Sequence, residues 1–243
     1  MNIVITMAGM GTRFRKAGYT VPKYQIEAHS KTLFEWAMLS LEGFRSSGNR
    51  YIFVVRKGDQ AEIFIRKQCS AMKLDNCAVL QLETATDGQA TTAMRAMSYC
   101  SMNEPLLIYN IDTFVEPHEM KNNDITGDGF IPCFNAPGDH WSFVKLGEHG
   151  RAVEVREKKR ISENCTLGAY YFNTCNLYVR LYHEYYGQQI QVDTEKYVAP
   201  LYNKLISEGG EVRISIVPYN RVHVLGTPEE LADFINTFNG IVI

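Results

Sequence analysis

The chain has 243 residues, of which 45% are hydrophobic and 21% charged, with a formal net charge of −2. This is enough chain to bury a sizeable core, in one domain, with the balance of an ordinary globular protein. The near-neutral charge excludes bulk attraction to nucleic acid or to an anionic membrane, so any basic cluster reads as a local site.

The predicted elements alternate through the first half. "NIVITM" (2–7) reads as a buried strand, followed by a glycine loop. "TLFEWAMLSLEGF" (32–44) has helical apolar spacing, with a capping box between Thr32 and Glu35. Strand 51–56, helix 59–72, strand 77–82, helix 88–100 and strand 105–111 follow, the last ending at Asp112. Such alternation predicts a mostly parallel sheet. The second half is richer in strands, at 129–135, 141–146, 152–157, 167–173 and 211–218. Its helices are expected at 175–187, 193–208 and 228–239. The expected fold is α/β: a Rossmann-like, mostly parallel central sheet flanked by helices, with a strand-rich second half.

Six cysteines, none in a C-x-x-C pair, predict reduced and mostly buried thiols in a cytoplasmic protein. No secretory signal and no membrane span are expected.

Chemistry concentrates at the rim after the first strand, where open parallel sheets bind ligands. Gly9 and Gly11 permit positive φ and close approach of backbone N–H groups to phosphate oxygens. The spacing is neither G-x-G-x-x-G nor a P-loop. Arg13, Arg15, Lys16 and Lys23 add positive charge. Arg13 can grip phosphate bidentately and Lys23 supplies a point charge, whereas Arg15 and Lys16 read as solvated. Pro22 restricts residue 21 to extended geometry, which predicts an arm and not a helix at Lys23. Asp112, at the end of its strand, is suited to hold Mg²⁺ between phosphate oxygens. By itself an Asp there is more often a turn or cap residue.

"MAGMGTRF…VPKYQIEA" resembles the G-x-G-[ST]-R-hydrophobic…P-K signature of the nucleotidyltransferases that make nucleotide sugars and related activated headgroups. The resemblance extends over nearly the whole chain and implies the nucleotide-diphospho-sugar transferase type of fold. It divides the single domain 1–243 into a nucleotide-binding half, 1–115, and an acceptor-binding half, 116–243. It implies that Ala8, Gly9, Gly11 and Thr12 bind nucleotide phosphates, that Lys23 neutralises the α-phosphate and that Arg13 neutralises the leaving pyrophosphate. The segment between Arg13 and Lys23 is expected to be extended over the phosphates. Asp112 becomes the ligand of Mg²⁺ or Mn²⁺. "LETATDGQATTA" (82–93) becomes the base-reading segment, with Glu83, Asp87, Gly88 and Gln89 as contacts and Thr84 as an alternative. Glu83 stands where related thymidylyltransferases carry Gln. A carboxylate accepts from cytosine N4 and repels an O4 acceptor, so Glu83 leans toward CTP.

On the acceptor side, "REKKR" and "LGAYYF" resemble the family's E-K…G-x-Y-x-F stretch. That implies acceptor binding by Glu157, Lys158 and Gly168, with Lys158 on the acceptor phosphate. Trp141, Tyr170 and Tyr171 read as core or pocket wall. One departure stands out: "HVLGTPEEL" (223–231) has Val224 where the family often has a second metal carboxylate. Either another group completes the magnesium shell, with Asp193 and His223 as candidates, or phosphates and water do. Within the superfamily the loop and "HWSFVKL…EKKRIS" resemble small cytidylyltransferases of bacterial capsule clusters. That implies CTP and a small phosphomonoester, L-glutamine phosphate, as substrates. A sugar 1-phosphate with UTP or dTTP is the alternative. A glycosyltransferase reading Asn110-Ile111-Asp112 as D-x-D, and a catalytically silent nucleotide-binding protein, are the rivals from other classes. The oligomeric state stays open, a homodimer included.

Overall fold

The structure, a computed structural model, describes residues 1–187 and 195–240. Residues 2–6 alternate between two apolar clusters, Ile3 and Ile5 entering one and Val4 the other. Strand β1 (Asn2–Thr6) is therefore buried on both faces, the environment a central parallel strand requires. It is followed by helix α1 (Thr12–Lys16), the short hairpin β2 (Glu27–Ala28) and β3 (Lys31–Thr32), and helix α2 (Leu33–Leu39). Then come β4 (Arg50–Arg56), α3 (Glu62–Ala71), β5 (Cys77–Leu82), α4 (Gln89–Arg95) and β6 (Leu106–Asn110). The second half runs β7 (Thr113–Val115), β8 (Gly129–Asn135), β9 (Ser142–Leu146), β10 (Ala152–Glu157), β11 (Asn164–Thr166) and β12 (Ala169–Phe172). It ends with α5 (Cys175–Tyr186), α6 (Leu201–Ser207), β13 (Val212–Val217), β14 (Val222–Val224) and α7 (Pro228–Thr237).

The main sheet has the order β10-β9-β11-β8-β12-β6-β1-β4-β5, with β13 beside β8. The part formed by β6-β1-β4-β5 is parallel throughout. Strand β12 joins β6 antiparallel and carries the sheet into the second half. This is the Rossmann-like α/β fold expected, with helices on both faces. Phe34, Ala37 and Met38 of α2 and Ile65 of α3 pack on one side. Ala90, Ala93, Tyr178, Leu181, Leu201 and Tyr202 of α4, α5 and α6 pack on the other. A third cluster of Phe14, Trp36, Phe114, Phe234 and Phe238 ties α1, α2, β7 and α7 together. In it Trp36 meets Phe114 at 4.7 Å between ring centroids.

The capping box forms as expected: Glu35 N–H donates to Thr32 Oγ1 at 3.2 Å, and Thr32 N–H donates to Glu35 Oε2 at 2.8 Å. All six cysteines are free, four of them buried. Among the described residues no helix is long and apolar enough to cross a membrane.

Three expectations are corrected. The loop after β1 does turn into a helix, the single turn Thr12–Lys16, because Gly11 adopts φ 61° and starts it. Lys23 likewise opens a 3₁₀ turn, Lys23–Gln25, immediately after Pro22, so the arm between Arg13 and Lys23 is not extended throughout. The helix expected at 193–208 starts only at Leu201, with Pro200 ahead of it, and residues 195–197 are non-helical. Residues 193 and 194 lie outside the described residues. Strands β2, β3, β7, β11 and β14 span only two or three residues each, too short for a period of two to register in the sequence.

Candidate functional site

The chain runs from β1 through β4 to β5 on one side of the sheet, then returns to place β6 on the other side of β1. Thr6 stands in register with Asn110 at the carboxyl ends of β1 and β6. From there the two connections diverge, which opens a crevice at the reversal of strand order. The crevice is a cleft of about 700 Å³. Thr6 to Gly11, Lys23 and Tyr24 line it from the first loop, and Asn110, Ile111 and Asp112 from the end of β6. Ala85 to Gln89 and Thr92 line it from the approach to α4, and Glu195 and Tyr197 from the segment before α6.

The hairpin β2–β3 and Tyr24 fix the position of Lys23. Tyr24 is buried against Phe64 and hydrogen-bonds Asp59 at 3.4 Å. Burial, then the neighbouring Asp59 carboxylate, push its phenol well above the ordinary value, so it stays protonated. Lys23 Nζ crosses to Asp112 and forms an ion pair with Oδ1. The lysine side chain is 14% exposed and the carboxylate 37%, so the pair stands at the cleft wall and not in bulk solvent. Arg13 and Thr12 are placed differently from expectation. Both are exposed on α1 and neither lines the cleft, whereas Phe14 between Arg13 and Arg15 anchors the turn in the core. Arg15 lies 3.9 Å from Asp59.

Asp112 is held through its backbone, whose carbonyl accepts from Leu225 N–H at 2.7 Å. This brings "LGTPEEL" beneath the carboxylate. Thr227 caps α7 by accepting from Glu230 N–H at 3.1 Å, and Glu230 Oε2 accepts from Gly226 N–H at 3.0 Å. The G-T-P-E-E-L motif is thus a helix start that sets the height of Asp112. Asn110 N–H donates to Gly168 O at 3.1 Å, and Gly168 has φ 80°. A Cβ at 168 would land on the Asn110 amide. The space expected there for an acceptor is filled by the Asn110 side chain, whose Oδ1 is buried without a hydrogen-bond partner.

The segment before α4 is clamped by residues the sequence did not single out. Lys196 N–H donates to Asp87 O at 2.7 Å, Ala90 N–H donates to Lys196 O at 2.9 Å, and Lys196 Nζ pairs with Asp87 at 2.8 Å. Burial would raise the Asp87 carboxyl, but its bonds to Lys196 and Thr91 hold it below its ordinary value. Gly88 is needed for this crossing, since a Cβ there would meet the Lys196 backbone. The neighbour it admits is that strap, not a base. Gln89 Nε2 donates to Thr6 Oγ1 at 3.2 Å, joining α4 to β1. Glu83 does not line the cleft. It is exposed and pairs with Lys57 at 2.6 Å.

Lys158 and Glu157 sit beside the cleft. Lys158 adopts φ 51° at the end of β10, an uncommon conformation for a side chain-bearing residue, and its N–H donates to Trp141 O at 2.8 Å. That turn carries Nζ to Tyr197 Oη at 2.5 Å and to 4.0 Å from Glu195, both in the cleft wall. The hydrogen bond to Tyr197 raises the lysine above its ordinary value, so it remains cationic. Glu157 is held by Ser142, and burial raises its carboxyl. Tyr170 and Tyr171 are core, as read from sequence. Proline before α6 was the available signal that the helix starts only there and that the residues ahead of it form a strap.

Val224 pairs with Thr113 in β14–β7, one residue from Asp112. His223 does not replace the missing carboxylate. It stacks on Phe114 and hydrogen-bonds Glu116 at 3.3 Å, away from the cleft, and burial lowers its pKa. Asp193 lies outside the described residues. No group of three or more His, Cys, Asp or Glu is arranged for a metal among the described residues.

A parallel sheet whose order reverses beside a glycine loop, a lysine and a strand-end carboxylate is the layout of a nucleotide-binding crevice, and comparison with solved structures gives its class. The structure matches the nucleoside-diphosphate-sugar pyrophosphorylase from Vibrio cholerae RC9 at 34% identity, with 96% of this chain and 99% of that one covered and a TM-score of 0.88. The chain belongs to the nucleoside-diphosphate-sugar pyrophosphorylase family of nucleotidyltransferases. The fold is shared with the inositol-1-phosphate CTP transferase from T. maritima, at 16% identity over 99% and 98% of the two chains (TM-score 0.75). It is shared too with a Bacillus anthracis structure assigned as a glucose-1-phosphate thymidylyltransferase, at 11% identity over 100% and 97% (TM-score 0.79). No protein-family model and no curated protein matches the chain.

Proposed function

We propose that the chain is a metal-dependent cytidylyltransferase. An oxygen of the acceptor phosphate bonds to the α-phosphorus of CTP as the bond to pyrophosphate breaks. The favoured acceptor is L-glutamine phosphate and the product CDP-L-glutamine, the CTP:phosphoglutamine cytidylyltransferase reaction of capsular phosphoramidate synthesis. The observation that carries the reading is the Lys23–Asp112 pair in the wall of the cleft at the β1/β6 reversal. Lys23 is the fixed cation for an α-phosphate gaining charge, and preorganised charge of this kind is commonly the largest catalytic contribution.

Residues 1–115 supply the nucleotide half and 116–243 the acceptor half. The backbone of Ala8, Gly9 and Gly11 faces the phosphates. Arg13, which has no ion pair among the described residues, meets the leaving pyrophosphate from the solvent side. Lys158 offsets the acceptor's charge. Asp112 fits Mg²⁺ or Mn²⁺ as a single carboxylate completed by substrate oxygens, the usual pattern for Mg²⁺ at phosphates. When bound, the ion supplies charge neutralisation at the transferring phosphate. With Glu83 turned to Lys57, the choice of CTP rests on the sequence resemblance, and base contacts fall to Thr86, Asp87, Gly88 and Gln89 in the cleft.

A second reading, a sugar 1-phosphate nucleotidylyltransferase using UTP or dTTP, is favoured by the 34% identity to the Vibrio pyrophosphorylase. Pyrophosphate release from four nucleoside triphosphates against sugar 1-phosphates, phosphocholine and L-glutamine phosphate decides between them. The account expects the signal in the CTP row. A signal only in the UTP or dTTP rows with sugar 1-phosphates supports the second reading. Consumption of UDP-sugar with no pyrophosphate points to a glycosyltransferase, and no turnover at any metal level to a silent binding protein.

A further inference from the structure

A second cavity, of about 230 Å³, opens on the α7 side of Asp112. One wall is aromatic. Phe134 and Trp141 meet edge to face at 5.1 Å, Tyr219 stacks on Phe134 at 6.2 Å, and His140 lies 4.1 Å from Trp141. The other wall is acidic: Glu230 and Asp233 lie one turn apart on α7 and both line the cavity. Neither carboxylate is in an ion pair among the described residues.

Gly226 lies between Glu230 of this cavity and Asp112 of the cleft. A Cβ there would lie 3.3 Å from Glu230 Oε2 and 3.8 Å from Asp112 Oδ2. Val224 is part of the cavity wall, so the residue that departs from the family's second carboxylate faces this space. Aromatic faces carry negative potential and attract cations, the more so when partly desolvated. Carboxylates opposite them with no ion-pair partner among the described residues add to that attraction and disfavour an anion. The volume, roughly eight water volumes, has room for a small head group and not for a nucleoside.

We propose that this cavity holds a cationic head group of the acceptor, which makes the acceptor class an alkylammonium-bearing phosphate. The inference rests on the nucleotidyltransferase reading of the neighbouring cleft. The ammonium sits among Trp141, Tyr219 and Asp233, and the phosphate lies toward Asp112 and Lys23. A quaternary ammonium and the α-ammonium of an amino-acid phosphate share this chemistry.

The test uses the full chain. Its two tryptophans are Trp36, buried at 3%, and Trp141 in the cavity, so ligand-dependent fluorescence reports Trp141. Phosphocholine, phosphoethanolamine and L-glutamine phosphate are titrated against glycerol 3-phosphate and glucose 1-phosphate. The same titrations are run on Asp233→Asn and Tyr219→Leu, two exposed positions. The proposal expects saturable quenching by the cationic phosphates only. Affinity should fall about 3–30-fold in Tyr219→Leu, from the strength of cation–π contacts, and measurably in Asp233→Asn from the lost charge, with a matching rise in acceptor KM and an unchanged nucleotide KM. The first three titrants separate quaternary from primary ammonium. Equal binding of the phosphates that lack an ammonium group, or unchanged affinity in both variants while pyrophosphate is still released, overturns the cavity's role and leaves the cleft's role standing. Quenching with no pyrophosphate from any acceptor overturns the nucleotidyltransferase reading and the acceptor role with it.

Discussion

Lys23 and Asp112 are 89 positions apart in the chain, and the parallel register of β1 with β6 brings them together. Removing one preorganised charge of this kind costs on the order of 10²–10³ in turnover. Lys23→Ala should therefore lower kcat by that factor with unchanged circular dichroism, and near-normal kcat would remove Lys23 from the mechanism. Asp112→Asn should lose Mn²⁺ binding, read by paramagnetic resonance in the presence of nucleotide. Retained Mn²⁺ affinity would place the metal elsewhere. Both residues were legible because each closes a recognisable pattern, a proline-lysine arm and an apolar strand. Arg13 and Glu83 were read from the same kind of pattern and stand outside the cleft wall. Sequence spacing does not reveal that Phe14 turns α1 into the core, or that Lys57 lies within reach of Glu83. Gly168 was identified as special, but its neighbour, the Asn110 amide, is a long-range contact that only the fold supplies.

At the scale of elements, the sequence told most where a local rule acts. The Thr32–Glu35 capping box forms with both bonds present. Thr32→Ala removes one acceptor for an orphan N–H of α2 and should cost about 1 kcal/mol. For a domain of this size that is a fall of roughly 2–4 °C in Tm, measured by calorimetry. No shift would mean that packing of Phe34 and Trp36 alone fixes α2. Elements made by pairing were not legible. The two- and three-residue strands exist because a neighbour supplies their hydrogen bonds, as β14 does for β7. The strap at 195–197 follows the same principle. Its backbone bonds to Asp87 and Ala90 replace the helix that composition suggested. These short pieces position the site: the 3₁₀ turn ahead of β2 carries Lys23, β14 leads to the turn under Asp112, and the strap closes over Gly88.

For the whole molecule, the sheet itself divides the labour. Its parallel half ends in a rim of loops that carries the glycines and Lys23, and its antiparallel half adds Lys158 at the end of β10 and the aromatic cavity. The alternation of strands and helices made the parallel half legible. The crossing from β6 to β12, which joins the two halves, depends on pairing between residues some sixty positions apart and leaves no periodic trace. The central claim is that this junction presents a triphosphate for attack at its innermost phosphorus. The most direct measurement follows an isotopic label in the α-phosphate of the nucleotide through a single turnover with acceptor present. The account predicts that the label passes to the nucleotidylated acceptor and that the pyrophosphate released carries none. Label left in free nucleoside mono- or diphosphate, with no labelled conjugate formed, would contradict it.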